Sequence, residues 1–144
     1  GHMETRSQAK LQGVRVLLVD DSEEGQVLLS KYLRAAGATV DTAATGQEGI
    51  KKALENIYDV VVTDIQMPDV NGYEVASLLR QNRYPRPIIA ITGHVTKGER
   101  ERCLRAGCDD QLTKPIDAAT IVEVVAKNSD KFVDPKKPTS LTLH

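Results

Sequence analysis

Residues 14–22 read Val-Arg-Val-Leu-Leu-Val-Asp-Asp-Ser. A short apolar run that ends in two aspartates describes a strand buried on both faces, with carboxylates at its carboxyl end. The segment that follows, Ser22–Ala36, places Leu28, Leu29, Tyr32, Leu33 and Ala36 three and four residues apart, the spacing of one helical face. Gly37 then supplies a C-terminal cap. The alternation continues along the chain. Further apolar runs lie at Ala38–Ala43, Val60–Val62 and Ile88–Ile91, and a weaker one at Gln111–Thr113. Between them, Thr45-Gly46-Gln47-Glu48 reads as a capping box opening a second helix. Gly72–Gln81 carries Val75, Leu78 and Leu79. Thr96-Lys97-Gly98-Glu99 reads as another capping box, followed by Cys103, Leu104 and Gly107, and Asp117 can cap a last helix with Ile121, Val124 and Val125 inward. Five strands alternating with five helices predict an α/β fold: a parallel sheet covered on both faces, with right-handed crossovers.

The chain has 144 residues, which suits one domain. Its 40% hydrophobic content suffices for a packed core. Gly1-His2-Met3 reads as an expression scar and residues 4–13 as a polar linker, so the domain is expected over 14–129. The stretch 130–144 contains Asp134-Pro135-Lys136-Lys137-Pro138 and is expected as a flexible tail. Nineteen Lys and Arg against twenty Asp and Glu give a net charge of -1, which offers no electrostatic reason for nucleic-acid or membrane-surface binding. No apolar run approaches the roughly 20 residues of a membrane helix, and no secretory leader is apparent. The two cysteines, Cys103 and Cys108, are too few for a disulfide scaffold and fit a reducing, cytoplasmic setting.

In a parallel sheet of this kind, ligands bind beyond the carboxyl ends of the strands, where the winding reverses. Asp20 and Asp21 follow the first strand, Asp64 ends the third, Thr92 ends the fourth, and Lys114-Pro115 follows the fifth. Clustered carboxylates repel: two charges 4 Å apart cost about 4 kcal/mol at an effective dielectric near 20. A hard divalent cation such as Mg²⁺, which takes carboxylate oxygens, offsets that repulsion. A helix cap explains one of these aspartates and leaves Asp64 and Lys114 without a reason. The turn Asp20-Asp21-Ser22-Glu23-Glu24 also differs from the Gly-rich phosphate loop of nucleotide-binding sheets.

With Val19-Asp20-Asp21, Asp64-Ile65-Gln66-Met67-Pro68-Asp69-Val70-Asn71-Gly72, Thr92 and Lys114-Pro115 in this order, the sequence resembles the receiver domain of two-component response regulators over about residues 14–128. The stretches 64–68 and 107–116 look most like receivers of hybrid histidine kinases. The resemblance implies a doubly wound (βα)5, flavodoxin-like sandwich with strand order 2-1-3-4-5. It implies that Asp64 accepts a phosphoryl group from a phosphohistidine, with a histidine kinase or histidine phosphotransfer domain as partner. Asp21 and Asp64 would ligate Mg²⁺, Asp20 largely through water, and the carbonyl of Gln66 would add an oxygen. Lys114 would pair with the phosphoryl oxygens, Thr92 would move to hydrogen-bond the phosphoryl group, and the Lys114-Pro115 bond would be cis. The domain would be a phosphoacceptor, not a turnover enzyme, within a hybrid sensor kinase or as a free-standing regulator.

One position departs from the family. Many receivers place an aromatic residue in the fifth strand that rotates inward when the threonine moves, and Gln111 stands there here. A smaller or differently wired change on the fourth-helix, fifth-strand face is therefore expected. His94, just past Thr92, reads as an exposed loop histidine, and the resemblance offers the alternative of a residue that affects water access to the phosphoryl group. Cys103 reads as small core filler, and the spacing of His94, Cys103 and Cys108 matches no zinc signature. Lys97, Arg100, Arg102 and Arg105 make the fourth helix basic, and Val27 points away from the first helix's apolar stripe, where a phosphodonor could dock. An aspartate-nucleophile phosphohydrolase would carry a second Asp two residues after Asp64, where Gln66 stands. A degenerate receiver would lack an acidic residue, the threonine or the lysine, and none is missing.

Overall fold

The computed structural model describes residues 10–131 apart from Val95, without the side chains of Asp130 and Lys131. In chain order it contains β1 (Arg15–Val19), α1 (Glu23–Ala35), β2 (Thr39–Ala43), α2 (Gly46–Glu55), β3 (Val60–Asp64), α3 (Gly72–Gln81), β4 (Ile88–Thr92), α4 (Lys97–Ala106), β5 (Asp110–Thr113) and α5 (Ala118–Lys131). The strands form one parallel sheet in the order β2-β1-β3-β4-β5. The winding reverses at β1, whose neighbours are β2 on one side and β3 on the other. The expected doubly wound α/β sandwich is the observed one.

Side chains alternate along each strand, so a run that is apolar at every position supplies two cores. Val16, Leu18, Val60, Val62, Ile89 and Ile91 pack under α1 and α5 with Leu29, Leu33, Ile121 and Val125. Leu17, Val19, Val61, Ile88 and Ala90 pack on the other face with Ala53, Val75, Ala76 and Leu79, from α2 and α3. Cys103 of α4 joins this second core and is buried, as small filler should be.

Several local expectations need correction. Leu11, expected in the linker, is fully buried in the α1–α5 core. Its N–H donates to Ala36 O at 2.8 Å, and Lys10 pairs with Glu123 of α5. One apolar residue among polar neighbours gives no periodic signal, so composition hid it. Likewise α5 continues to Lys131, past the expected tail boundary at 130. The scar, residues 4–9 and residues 132–144 lie outside the described residues. Leu28, expected on the apolar face of its helix, is 45% exposed, and Leu78 and Leu104 are 38% and 64% exposed. Each sits beside a buried neighbour (Leu29, Leu79, Cys103) that fills the contact with the sheet, and the next position, 100° round the helix, falls off the contact.

The caps differ in detail too. Thr45 Oγ1 accepts the Glu48 N–H at 3.0 Å, but Glu48 reaches back to the Ala44 N–H at 2.7 Å, one residue before the cap. Thr96 Oγ1 accepts the Glu99 N–H, while the Glu99 carboxylate bonds Tyr73 instead of the cap. The fully reciprocal capping box belongs to Asn71 and Glu74 at the start of α3. At the end of α4, Gly107 adopts φ 104° and closes a Schellman motif, with Gly107 N–H to Leu104 O and Cys108 N–H to Cys103 O. Cys103 and Cys108 are the apolar pair that accompanies it, both within the same core.

At the amino end of the sheet, the Arg80 guanidinium gathers the chain. Its Nη1 donates to Tyr84 O at 2.6 Å and Arg86 O at 2.9 Å. Its Nε donates to Gly107 O at 3.0 Å, and its Nη2 to Asp109 Oδ2 at 2.8 Å. Asp109 Oδ2 also accepts the Ile88 N–H, so one ion pair ties α3 to the starts of β4 and β5.

Candidate acidic site at the carboxyl ends of the strands

β1 and β3 are adjacent and parallel, paired from Val16↔Val60 to Val19↔Thr63. Their carboxyl ends therefore meet, and the residues that follow converge. Asp20, Asp21 and Asp64 each offer a carboxylate oxygen within 4.8 Å of the others. Asp20 and Asp64 are buried and Asp21 is exposed. Burial raises the pKa of Asp20 above the ordinary aspartate range. The Ser22 N–H partly offsets this, and the charges of Asp64 and Asp21 add to the rise. A set of three hard oxygen donors with one open side is the chemistry that a small divalent cation takes. Among the described residues this is the one such cluster; His94, Cys103 and Cys108 form none.

Lys114 completes the charge balance. Its Nζ lies 2.9 Å from Asp64 Oδ2. Burial disfavours the ammonium, but the Asp64 hydrogen bond and charge, backed by Asp20 and Asp21, outweigh it and hold its pKa above the usual lysine value. The peptide bond from Lys114 to Pro115 is cis, as the sequence resemblance implied. Asp64 Oδ1 accepts the Gln66 N–H at 3.2 Å, which fixes the start of the loop after β3. Behind Asp64, Gly72 opens α3 in direct contact with the backbone. A Cβ there would meet Ile65 Cα at 2.8 Å and lie nearer still to the Asp64 carbonyl oxygen. Gly72 thus lets α3 abut the acidic loop.

Thr92 ends β4 and is buried, but its hydroxyl is turned into its own loop, where it accepts the His94 N–H at 3.1 Å. A cleft of about 550 Å³ opens above the acids, lined by Asp21, Gln66, Met67, Thr92 and His94 on one side. Its far wall was not read from the sequence. The Tyr73 hydroxyl donates to the Glu99 carboxylate, and the Arg102 guanidinium stacks over the Tyr73 ring at 4.5 Å. This bridge joins the start of α3 to α4. The diagnostic residues were visible one by one, but their meeting depends on how two helices lie on the sheet. Gln111 lies part-buried in β5, its Nε2 enclosed without a hydrogen-bond partner, beside a second cleft of about 360 Å³ that Cys103 and Cys108 also line.

This fold places a carboxylate cluster and a lysine at the carboxyl ends of the strands of a small α/β domain. Residues 16–126 match the response regulator receiver domain family, and the chain belongs to it. It is 33% identical over 134 residues to the transcriptional regulatory protein TcrA of Mycobacterium tuberculosis, a match covering 93% of this chain and 53% of the relative. It is 36% identical over 121 residues to the aerobic respiration control sensor protein ArcB of Escherichia coli, covering 81% of this chain and 15% of that protein. The chain therefore spans about half the length of the first relative and a small part of the second. Among solved structures, it superposes on the receiver domain of a Pseudomonas aeruginosa sensor histidine kinase with a TM-score of 0.75 and 31% identity, covering 83% of this chain and 99% of that one. That structure has a magnesium ion coordinated in its active site cleft. Among the described residues, no helix is long and apolar enough to cross a membrane.

Proposed function

We propose that Asp64 accepts a phosphoryl group from a phosphohistidine of a histidine kinase or histidine phosphotransfer domain, in a Mg²⁺-dependent reaction, and that the domain acts as a signalling switch or relay. The observation that carries this reading is the juxtaposition of Asp64 with two further carboxylates and with Lys114 Nζ at 2.9 Å. Asp21, Asp64 and the Gln66 carbonyl would hold the cation, with Asp20 behind. When bound, Mg²⁺ neutralises charge on the phosphoryl oxygens. An Asp64 carboxylate oxygen attacks phosphorus, the P–N bond breaks, and its electron pair leaves on the imidazole nitrogen. Lys114 then stands over the new acyl phosphate as a fixed positive charge. The Thr92 hydroxyl serves the phosphoryl group by giving up its hydrogen bond with His94. Val27, 64% exposed on α1, offers an apolar docking contact for the phosphodonor. The similarity to ArcB and the Pseudomonas receiver favours a hybrid sensor kinase as parent, with this domain on its cytoplasmic side. A free-standing regulator is the second reading, favoured by the wider match to TcrA.

Incubation with Mg²⁺ and acetyl phosphate, read by intact mass, tests the reaction. The parent chain gains one phosphoryl mass, EDTA prevents the gain, and Asp64→Asn shows none. If Asp64→Asn is labelled as well as the parent, another residue is the acceptor.

A further inference from the structure

Gly25 is the third residue of α1, and its backbone is not in the left-handed region that would require glycine. Glycine inside a helix is destabilising relative to alanine, so helix formation does not account for it. The space beside it does. A Cβ on residue 25 would stand 3.0 Å from Asp20 Cγ and closer still to Oδ2. The Asp20 carboxylate occupies the volume where any other residue would put its side chain. That carboxylate cannot retreat easily. The Asp20 N–H donates to Ala43 O at 3.0 Å, the Asp20 carbonyl accepts Gln26 Nε2 at 2.7 Å, and Oδ1 accepts the Ser22 N–H at 2.8 Å. With the backbone pinned on both sides, a methyl at 25 must either swing the carboxylate off Ser22 or lift the first turn of α1.

We infer that Gly25 is a positioning residue for the acidic site: its missing side chain forms the niche that sets the Asp20 carboxylate toward the cation shared with Asp21 and Asp64. This rests on the magnesium reading above, and it assigns to a helix glycine part of the affinity for the ion.

The test is a cycle of four proteins: parent, Gly25→Ala, Asp20→Ala and the double variant. Thermal midpoints are measured without metal, and Mg²⁺ affinity is measured by calorimetry on the parent and Gly25→Ala. Gly25→Ala lowers the midpoint of the parent but raises it by about 3 °C in the Asp20→Ala background, where only helix propensity remains. It also weakens Mg²⁺ binding about tenfold, the order seen when a group that orients a metal ligand is lost. A parent that binds no Mg²⁺ overturns the magnesium reading and this inference together. A parent that binds Mg²⁺ with an affinity indifferent to Gly25→Ala, or equal thermal shifts in both backgrounds, overturns this inference alone.

Discussion

Lys114 is the single cation within hydrogen-bond reach of Asp64 among the described contacts. It sits on the loop after β5, across the site from the aspartates that follow β1. In the proposed reaction it meets charge that develops only as the phosphoryl group arrives. Removing one such preorganised donor costs roughly 10² in rate. Lys114→Ala is therefore expected to slow labelling by acetyl phosphate about a hundredfold while the parent and variant share the same fold by circular dichroism. An unchanged labelling rate would remove Lys114 from the chemistry. Asp20, Asp21, Asp64, Thr92 and Lys114 were all legible in the sequence for one reason: each stands at the end of a strand, and parallel topology sends those ends to one edge. Tyr73 and Glu99 were not, because two helices bring them together and neither helix carries a local mark of the other.

At the scale of elements, stability rests on side chains that bind the backbone of a different segment. Arg80 reaches three carbonyls and a carboxylate from the ends of α3 and α4 and the starts of β4 and β5. Its loss leaves those acceptors without a shared donor, and hydrogen bonds to charged groups contribute about 1.5–3 kcal/mol each at most. Arg80→Ala is expected to lower unfolding free energy by about 3 kcal/mol in urea titration, with the m-value unchanged. Asp69 does comparable work at the other edge. Its carboxylate accepts the Gln47 N–H at 3.0 Å and the Gly46 N–H at 3.1 Å, tying the acidic loop to the start of α2. The Gln47 amide, followed by those of Val70 and Gly46, holds its pKa below the ordinary aspartate value. A lowered native pKa stabilises the fold above the unfolded value near 3.9 and loses that contribution as pH falls through the native value. Asp69→Ala should accordingly be less stable than the parent at pH 6, with the gap in thermal midpoint closing below about pH 4. A gap constant with pH would show that the carboxylate charge is irrelevant there. Neither Arg80 nor Asp69 could be assigned such a role from sequence, since each partner lies more than twenty residues away or in an irregular segment.

For the whole molecule, the apolar runs predicted sheet and layers well, because parallel strands are apolar on both faces and helices between them must cover both. Misreadings fell at the margins: Leu11, a lone apolar residue in polar company, and Leu28, which lies one helical step from the sheet contact. The acidic site also couples to global stability. A ligand that binds only the native state adds RT ln(1 + [L]/Kd), about 1.4 kcal/mol at ten times Kd. Mg²⁺ at that level should raise the thermal midpoint of the parent by several degrees and leave Asp21→Asn nearly unmoved. Equal shifts in both proteins would place the ion elsewhere.

The two ends of the sheet are fastened differently. One end is stitched by guanidinium groups, with Arg80 at the starts of β4 and β5 and Arg86 beside Asp59 before β3. The opposite end carries the acids, Thr92 in its self-closed turn, and one bridge across a cleft. The base is thus cross-braced between segments, whereas the rim is held mainly by contacts within single loops and by that one bridge.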